Sequence, residues 1–125
     1  MSLVAGAPAA AASPPPVTAL VVLGDSLSDS GNAGRFSNGP VWVEHLAEKL
    51  GLELRPAVAG GSNFAVGGAR IEGGTADLGR QLRAFLALRS GRPDPNALHV
   101  VYGGGNDVLA LLGAAGADGE VRAHG

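Results

Sequence analysis

The sequence predicts an α/β domain, a parallel sheet with helices on both faces. Three observations carry this. Apolar runs alternate with amphipathic helical patterns in the order strand–helix–strand–helix–strand–helix, which calls for crossovers between parallel strands. The first run is apolar almost throughout, as in strands covered on both sides. Glycine and small polar residues cluster after the first and third runs, with another glycine-rich stretch after the second. In an open α/β sheet that edge is where ligands bind.

Each element can be justified in chain order. Residues 1–16, MSLVAGAPAAAASPPP, are an Ala/Pro mixture that cannot bury a face and read as a flexible leader. They lack the basic start and the apolar stretch of about 7–15 residues of an intact signal peptide, but they suit the stub of a removed one, so a secreted or cell-envelope location is expected. The domain then occupies 17–125. Thr18–Leu23, TALVVL, is the first strand. Pro40 can open a helix in which Val41, Trp42, Leu46 and Leu50 form the apolar stripe and Gly51 the stop. LELRPAV is read as a second strand, weakened by Pro56. AGGSNFAVGGARIEGG is a loop. A helix is expected from near Thr75, with Leu78, Leu82, Phe85, Leu86 and Leu88 inward, ended by SGRPDP. ALHVVY (Ala97–Tyr102) is the third strand, GGGND follows it, and a short helix starts near Asp107. The tail GADGEVRAHG is a loop, and no internal repeat is present.

Composition excludes several classes of function. The 125 residues suffice for one small domain. A net charge of −2 offers no basic surplus for nucleic acid. No apolar run reaches the roughly 18–20 residues of a membrane span. The chain has no cysteine, which removes disulfides, thiolate catalysis and Cys-ligated zinc. Asp25 and Asp29 form Asp-x-x-x-Asp, without the remainder of a calcium loop, so no metal is expected. No Gly-x-Gly-x-x-Gly follows a strand and no phosphate-loop lysine is present, so no cofactor is expected. Trp42 is assigned to the core, and Arg70, Arg80, Arg83, Arg89 and Arg92 to solvated surface.

The chemistry-bearing stretches are VVLGDSLSDSGN, SNFAVGGAR and GGGND. Ser26 stands two residues past the first apolar run, where a serine is either an N-cap or a nucleophile at a helix start. Gly24–Ser28 nearly meets the Gly-x-Ser-x-Gly elbow, but Ser28 replaces its last glycine. Gly67–Gly68 is either a plain turn or a place where a bare backbone N–H meets substrate. Asn106 is either a cap or a side-chain donor.

Taken together and in this order, these blocks resemble the GDSL esterase/lipase family, also called SGNH hydrolases. VVLGDSLSDSGN is similar to the block around its nucleophile, FSNGPVWVEHLAEKLGL to the segment that follows in larger secreted members, GGSNFAVGGARI to the glycine block and VVYGGGND to the Gly-x-Asn-Asp block. The likeness covers residues 18–110. It implies a three-layer, flavodoxin-like parallel sheet of order 2-1-3-4-5, of which this chain holds the first three strands and would be cut short after the third. It implies hydrolysis of small acyl esters through an acyl-serine without a cofactor. Ser26 would be the nucleophile. The N–H groups of Ser26 and Gly68 and the Asn106 side chain would form the oxyanion hole, supported by Asp25 and Asp107.

The departure from the family lies in the base. The family's Asp-x-x-His block has no counterpart here. The histidines are His45 on the flank of the first helix, His99 in the third strand, and His124, which Asp118 precedes by six residues rather than three. The chain alone is therefore expected to be nearly inactive. Its third strand is expected to be an exposed edge that invites self-association or a missing C-terminal segment. The competing reading is a non-catalytic α/β module that binds a ligand or dimerises.

Overall fold

A computed structural model describes residues 16–117; the first fifteen residues, Asp118 and His124 lie outside the described residues. The elements are β1 (Ala19–Gly24), α1 (Trp42–Leu50), a 3₁₀ turn (Ala57–Ala59), α2 (Leu78–Leu88), β2 (Ala97–Tyr102) and α3 (Gly105–Ala117). β1 and β2 pair in parallel, with Ala19 opposite Ala97 and Gly24 opposite Tyr102. Because side chains alternate across a strand, β1 builds two cores. Leu20 and Val22 pack with Val41, Val43, Ala47 and Ala65, beneath α1. Val21 and Leu23 pack with Phe64 and Phe85, beneath α2. The domain is thus α/β with a helix layer on each face, as the alternating pattern predicts.

The second strand is not where the sequence places it. LELRPAV forms no ladder; Pro56 meets only Asn63, through a single bridge. Proline has no N–H to donate. The other side of β1 is instead taken by Ser62–Val66. Val22 donates to the Ser62 carbonyl (3.1 Å), Phe64 to Val22 (2.7 Å) and Val66 to Gly24 (3.1 Å). The Ser62 hydroxyl adds a bond to the Leu20 carbonyl at 2.6 Å. Gly61 makes the approach possible, since a Cβ there would overlap the Arg55 carbonyl. The glycine block read as a loop therefore supplies the backbone neighbour of β1, which lies between it and β2.

Helix positions hold, but their buried faces and starts differ from the expectation. In α1, Val43 and Ala47 are buried, while Trp42 (43%) and Leu50 (37%) are exposed. Trp42 is thus not a core residue. α1 begins after Val41, whose N–H donates to Glu44 Oε1 (2.8 Å), with Arg35 paired to the same carboxylate. α2 begins at Leu78 rather than Thr75, because Asp77 caps it. It buries Gln81 and Phe85 and leaves Leu82 and Leu88 exposed. α3 begins at Gly105, two residues before the expected start. Leu98, Val101 and Tyr102 of β2 and Val108, Leu109, Leu111 and Leu112 of α3 are exposed. Among the described residues no further strand pairs with β2.

Two carboxylates couple this arrangement to pH. Asp77 accepts the Arg80 N–H (2.8 Å) and the Gly73 N–H (2.7 Å), which hold its carboxyl below the ordinary value near 3.8. Asp94 accepts the Asn96 N–H (2.8 Å) and the Thr18 hydroxyl (3.0 Å), tying the start of β2 to that of β1, and is lowered likewise. A lowered folded pKa contributes stability that is fully present above the unfolded value and is lost as pH falls through the folded one. Thermal melts are therefore expected to be insensitive to these groups above about pH 5 and to fall below about pH 4. The variant Asp94→Asn should lose part of that acid-side fall. Melting curves of Asp94→Asn with the unsubstituted acid dependence would remove Asp94 from this role.

Candidate active site

The site is built at the carboxyl end of β1. The Gly24 peptide is clamped by the buried Gln81 side chain, whose Oε1 accepts the Gly24 N–H and whose Nε2 donates to the Gly24 carbonyl, both at 2.8 Å. A Cβ at Gly24 would stand 2.9 Å from the Tyr102 carbonyl oxygen, so glycine keeps β1 and β2 in register here. The chain then makes one tight turn rather than the expected helix start. The Asp25 carbonyl accepts from Ser28 (3.0 Å) and Asp29 (2.9 Å), and Asp25 Oδ1 accepts the Leu27 N–H at 3.0 Å. Short polar side chains that bond their own backbone favour such turns over helices. Ser26 sits at the head of this turn, half-buried, beside the buried Asp25.

Asp29 is fully buried and joins the turn to the glycine block. Its Oδ1 accepts the N–H groups of Gly31 (2.8 Å) and Asn32 (2.7 Å); its Oδ2 accepts those of Ala33 (2.9 Å) and Gly67 (2.8 Å). Both oxygens of the Asp-x-x-x-Asp partner thus face backbone donors. Asn63, also fully buried, donates to the Ser28 carbonyl (2.8 Å) and Ser30 Oγ (2.9 Å) and accepts from Ala65. Asn32 donates to the carbonyls of Asn63 (2.7 Å) and Ala65 (2.8 Å). From the sequence, Asn32, Asn63 and Gln81 have no assigned role, and Asp29 figures only as half of the Asp-x-x-x-Asp pattern. The one signal available was the density of amide and carboxylate residues around SDSGN and GGSN.

Gly68 adjoins Ala69, the residue to which the Asn106 side chain is hydrogen-bonded. Gly68 has φ of 85°, a left-handed conformation that favours glycine. Asn106 Nδ2 donates to the Ala69 carbonyl at 2.8 Å, and the Asp107 carboxylate accepts the Ile71 N–H at 3.0 Å. The first turn of α3 is therefore pinned to 69–71. Asp25 Oδ2 faces this helix start, 3.9 Å from where a Gly105 Cβ would lie. There a carboxylate is favoured by the positive end of the helix dipole.

The donor pattern distinguishes neighbouring residues. The N–H groups of Leu27, Ser28, Asp29 and Gly67 are all taken by Asp25 or Asp29. Those of Ser26 and Gly68 meet no acceptor among the described residues. Asn106 carries two amide hydrogens and one is committed to Ala69. Ser26 lines a cleft of about 500 Å³ with Leu27, Phe36, Trp42 and Tyr102. Gly68 lines a separate one of about 310 Å³, and Asn106 lines neither. Phe36 connects the two regions, since its ring fills the space a Gly67 side chain would occupy. His45 is exposed on α1. His99 lies against Phe85, ring centroids 5.7 Å apart, and is opposite Val21. That is three residues short of the strand end, about 10 Å at the usual rise.

A model of the GDSL-like lipase/acylhydrolase family matches residues 20–123. Lipase 1 of Photorhabdus luminescens is 42% identical over 106 residues, an alignment that covers 74% of this chain and 16% of that protein. The phosphatidylcholine-sterol acyltransferase of Aeromonas hydrophila is 34% identical, over 88% of this chain and 38% of its own length. Esterase EstA of Pseudomonas aeruginosa is 30% identical, over 78% and 23% respectively. The chain thus spans well under half of each of these relatives.

Proposed function

This chain belongs to the GDSL-like lipase/acylhydrolase family, and from that premise we propose that it carries the nucleophile and the oxyanion donors of a serine ester hydrolase. The observation that supports this most is the contrast among donors: neighbouring N–H groups are tied to Asp25 and Asp29, while those of Ser26 and Gly68 are left for a substrate. In the proposed reaction Ser26 Oγ bonds to the ester carbonyl carbon. Negative charge gathers on the carbonyl oxygen and is met by the two N–H groups and the free Asn106 amide hydrogen. The bond to the alcohol oxygen then breaks, the alcohol leaves with a proton, and water releases the acid from Ser26. Asp25 and Asp107 act as supports by shaping the Ser26 turn and fixing α3 against 69–71.

The Ser26 proton needs a base. As placed, neither His45 nor His99 serves. The relatives are longer than this chain, and we assign the full reaction to a protein in which an Asp-x-x-His segment reaches Ser26. Residues 1–16 are proposed as a leader and 17–125 as part of the catalytic domain, in a secreted or cell-envelope protein. No helix among the described residues is long and apolar enough to cross a membrane.

The reading is tested by ester turnover once the chain is joined to the downstream portion of a family member. Short-chain p-nitrophenyl esters are expected to give an initial burst followed by steady release, the kinetic mark of an acyl-enzyme. Asn106→Ala should lower kcat by roughly 10² to 10³, the loss for one oxyanion donor. A folded Asn106→Ala protein with unchanged kcat would confine Asn106 to bonding Ala69. No turnover in any joined form would favour a non-catalytic ligand-binding module, for which the placement of His45 and His99 speaks.

A further inference from the structure

We propose that Trp42, held by Ser28, selects the acyl chain of the ester; the inference rests on Ser26 as nucleophile. The indole N–H donates to Ser28 Oγ at 3.0 Å. Ser28 is fully buried and belongs to the same turn as Ser26, so the ring is tied to the nucleophile's own backbone. With its one polar atom turned to Ser28, the ring presents carbon to the cleft, although 43% of the residue is exposed. Tyr102 lies beside it, ring centroids 6.1 Å apart and planes at 59°. That tilt makes a corner along which a chain can lie, not a slot for a flat ring. Leu27, Phe36, Pro40 and Val41 add apolar walls, and among the described residues no charged one lines the cleft. Its volume of about 500 Å³ is in the range of small-molecule sites. Exposed apolar side chains gathered beside a nucleophile are what a binding surface requires. The acyl group is at Ser26 in both chemical steps, joined to it in the first and released by water in the second, while the alcohol leaves in the first. The apolar walls around Ser26 are accordingly assigned to the acyl side.

Trp42 is the chain's single tryptophan, so its emission reports on the cleft alone. Titrating the 125-residue chain with decanoate below its micelle concentration should shift that emission to the blue, saturably. Butanoate should bind at least about tenfold more weakly, as expected when six fewer methylenes are buried. Ser28→Ala and, independently, the exposed Phe36→Ala should each weaken decanoate several-fold with unchanged circular dichroism. No spectral shift, equal binding of the two acids, or a response indifferent to both Ser28→Ala and Phe36→Ala would overturn the proposal. Acylation of Ser26 in the joined protein is read separately by intact mass. Acylation without a decanoate response sinks the acyl site alone. A response without acylation upholds the site and sinks the nucleophile.

Discussion

Ser26→Ala is expected to abolish ester turnover in the protein joined to an Asp-x-x-His segment, lowering kcat by about a millionfold, as removal of a serine nucleophile does elsewhere. The turn explains the size of the effect. Ser26 is held at the end of β1 by the Gln81 clamp on Gly24 and by Asp25, while its own hydroxyl and N–H have no protein partner among the described residues. No neighbouring hydroxyl can replace it: Ser28 is buried and bound to Trp42, and the buried Ser30 accepts from Asn63. What survives is stabilisation by the remaining donors and binding, about 10³ to 10⁴ over water. The 125-residue chain by itself is expected at that same low level, because a serine hydroxyl without a base is a weak nucleophile. Steady-state kinetics with p-nitrophenyl butanoate on the chain, the joined protein and its alanine variant checks all three. Equal turnover in the alanine variant would take Ser26 out of the mechanism. Turnover of several per second by the chain alone would require a base among His45, His99 and His124.

The sequence was informative where structure is local. β1 is legible because all but its last residue is apolar, and β1 alone supplies the centre of both cores. Helix existence follows from spacing, but the buried face does not. α1 turns Val43 and Ala47 inward rather than Trp42 and Leu50, because the Ser28 hydroxyl draws the indole to the site and the Asp29 turn fixes the approach. The second strand was illegible for a related reason. Ser62–Val66 lacks an apolar alternation and is held beside β1 by its own backbone, the Ser62 hydroxyl and the amides of Asn32 and Asn63. Those are contacts across 31 to 42 residues, which periodicity cannot register. The site blocks stood out through their glycines and small polar residues. Asp29, which organises them, is read from the sequence only against a calcium loop, because its role rests on four backbone donors that spacing does not show.

Asp29→Asn should therefore be among the most damaging single changes in the described domain, although it removes hardly any volume. The carboxylate accepts four backbone N–H groups. An amide retains one oxygen for two of them and turns an NH₂ group toward the other two. If the oxygen stays with Gly31 and Asn32, the N–H groups of Ala33 and Gly67 face a donor. A flip of the side chain only exchanges the pairs. Hydrogen bonds to a charged acceptor contribute roughly 1.5–3 kcal/mol each, and a buried donor left unpaired costs about 1–3 kcal/mol. Some of that is recovered by water, because the Gly31–Ala33 stretch is partly exposed. The expected loss is about 2–4 kcal/mol, a large share of the roughly 5–15 kcal/mol of a small domain. The loss should reach the chemistry as well. With Gly67 released, the Gly67–Gly68 turn is no longer fixed against the Ser26 turn, and the Gly68 N–H loses its aim. Urea unfolding measures the first effect and kcat in the joined protein the second. A midpoint within error of the unsubstituted protein would show that Asp29 does not organise the site. A lowered midpoint with unchanged kcat would separate its structural role from the placement of Gly68.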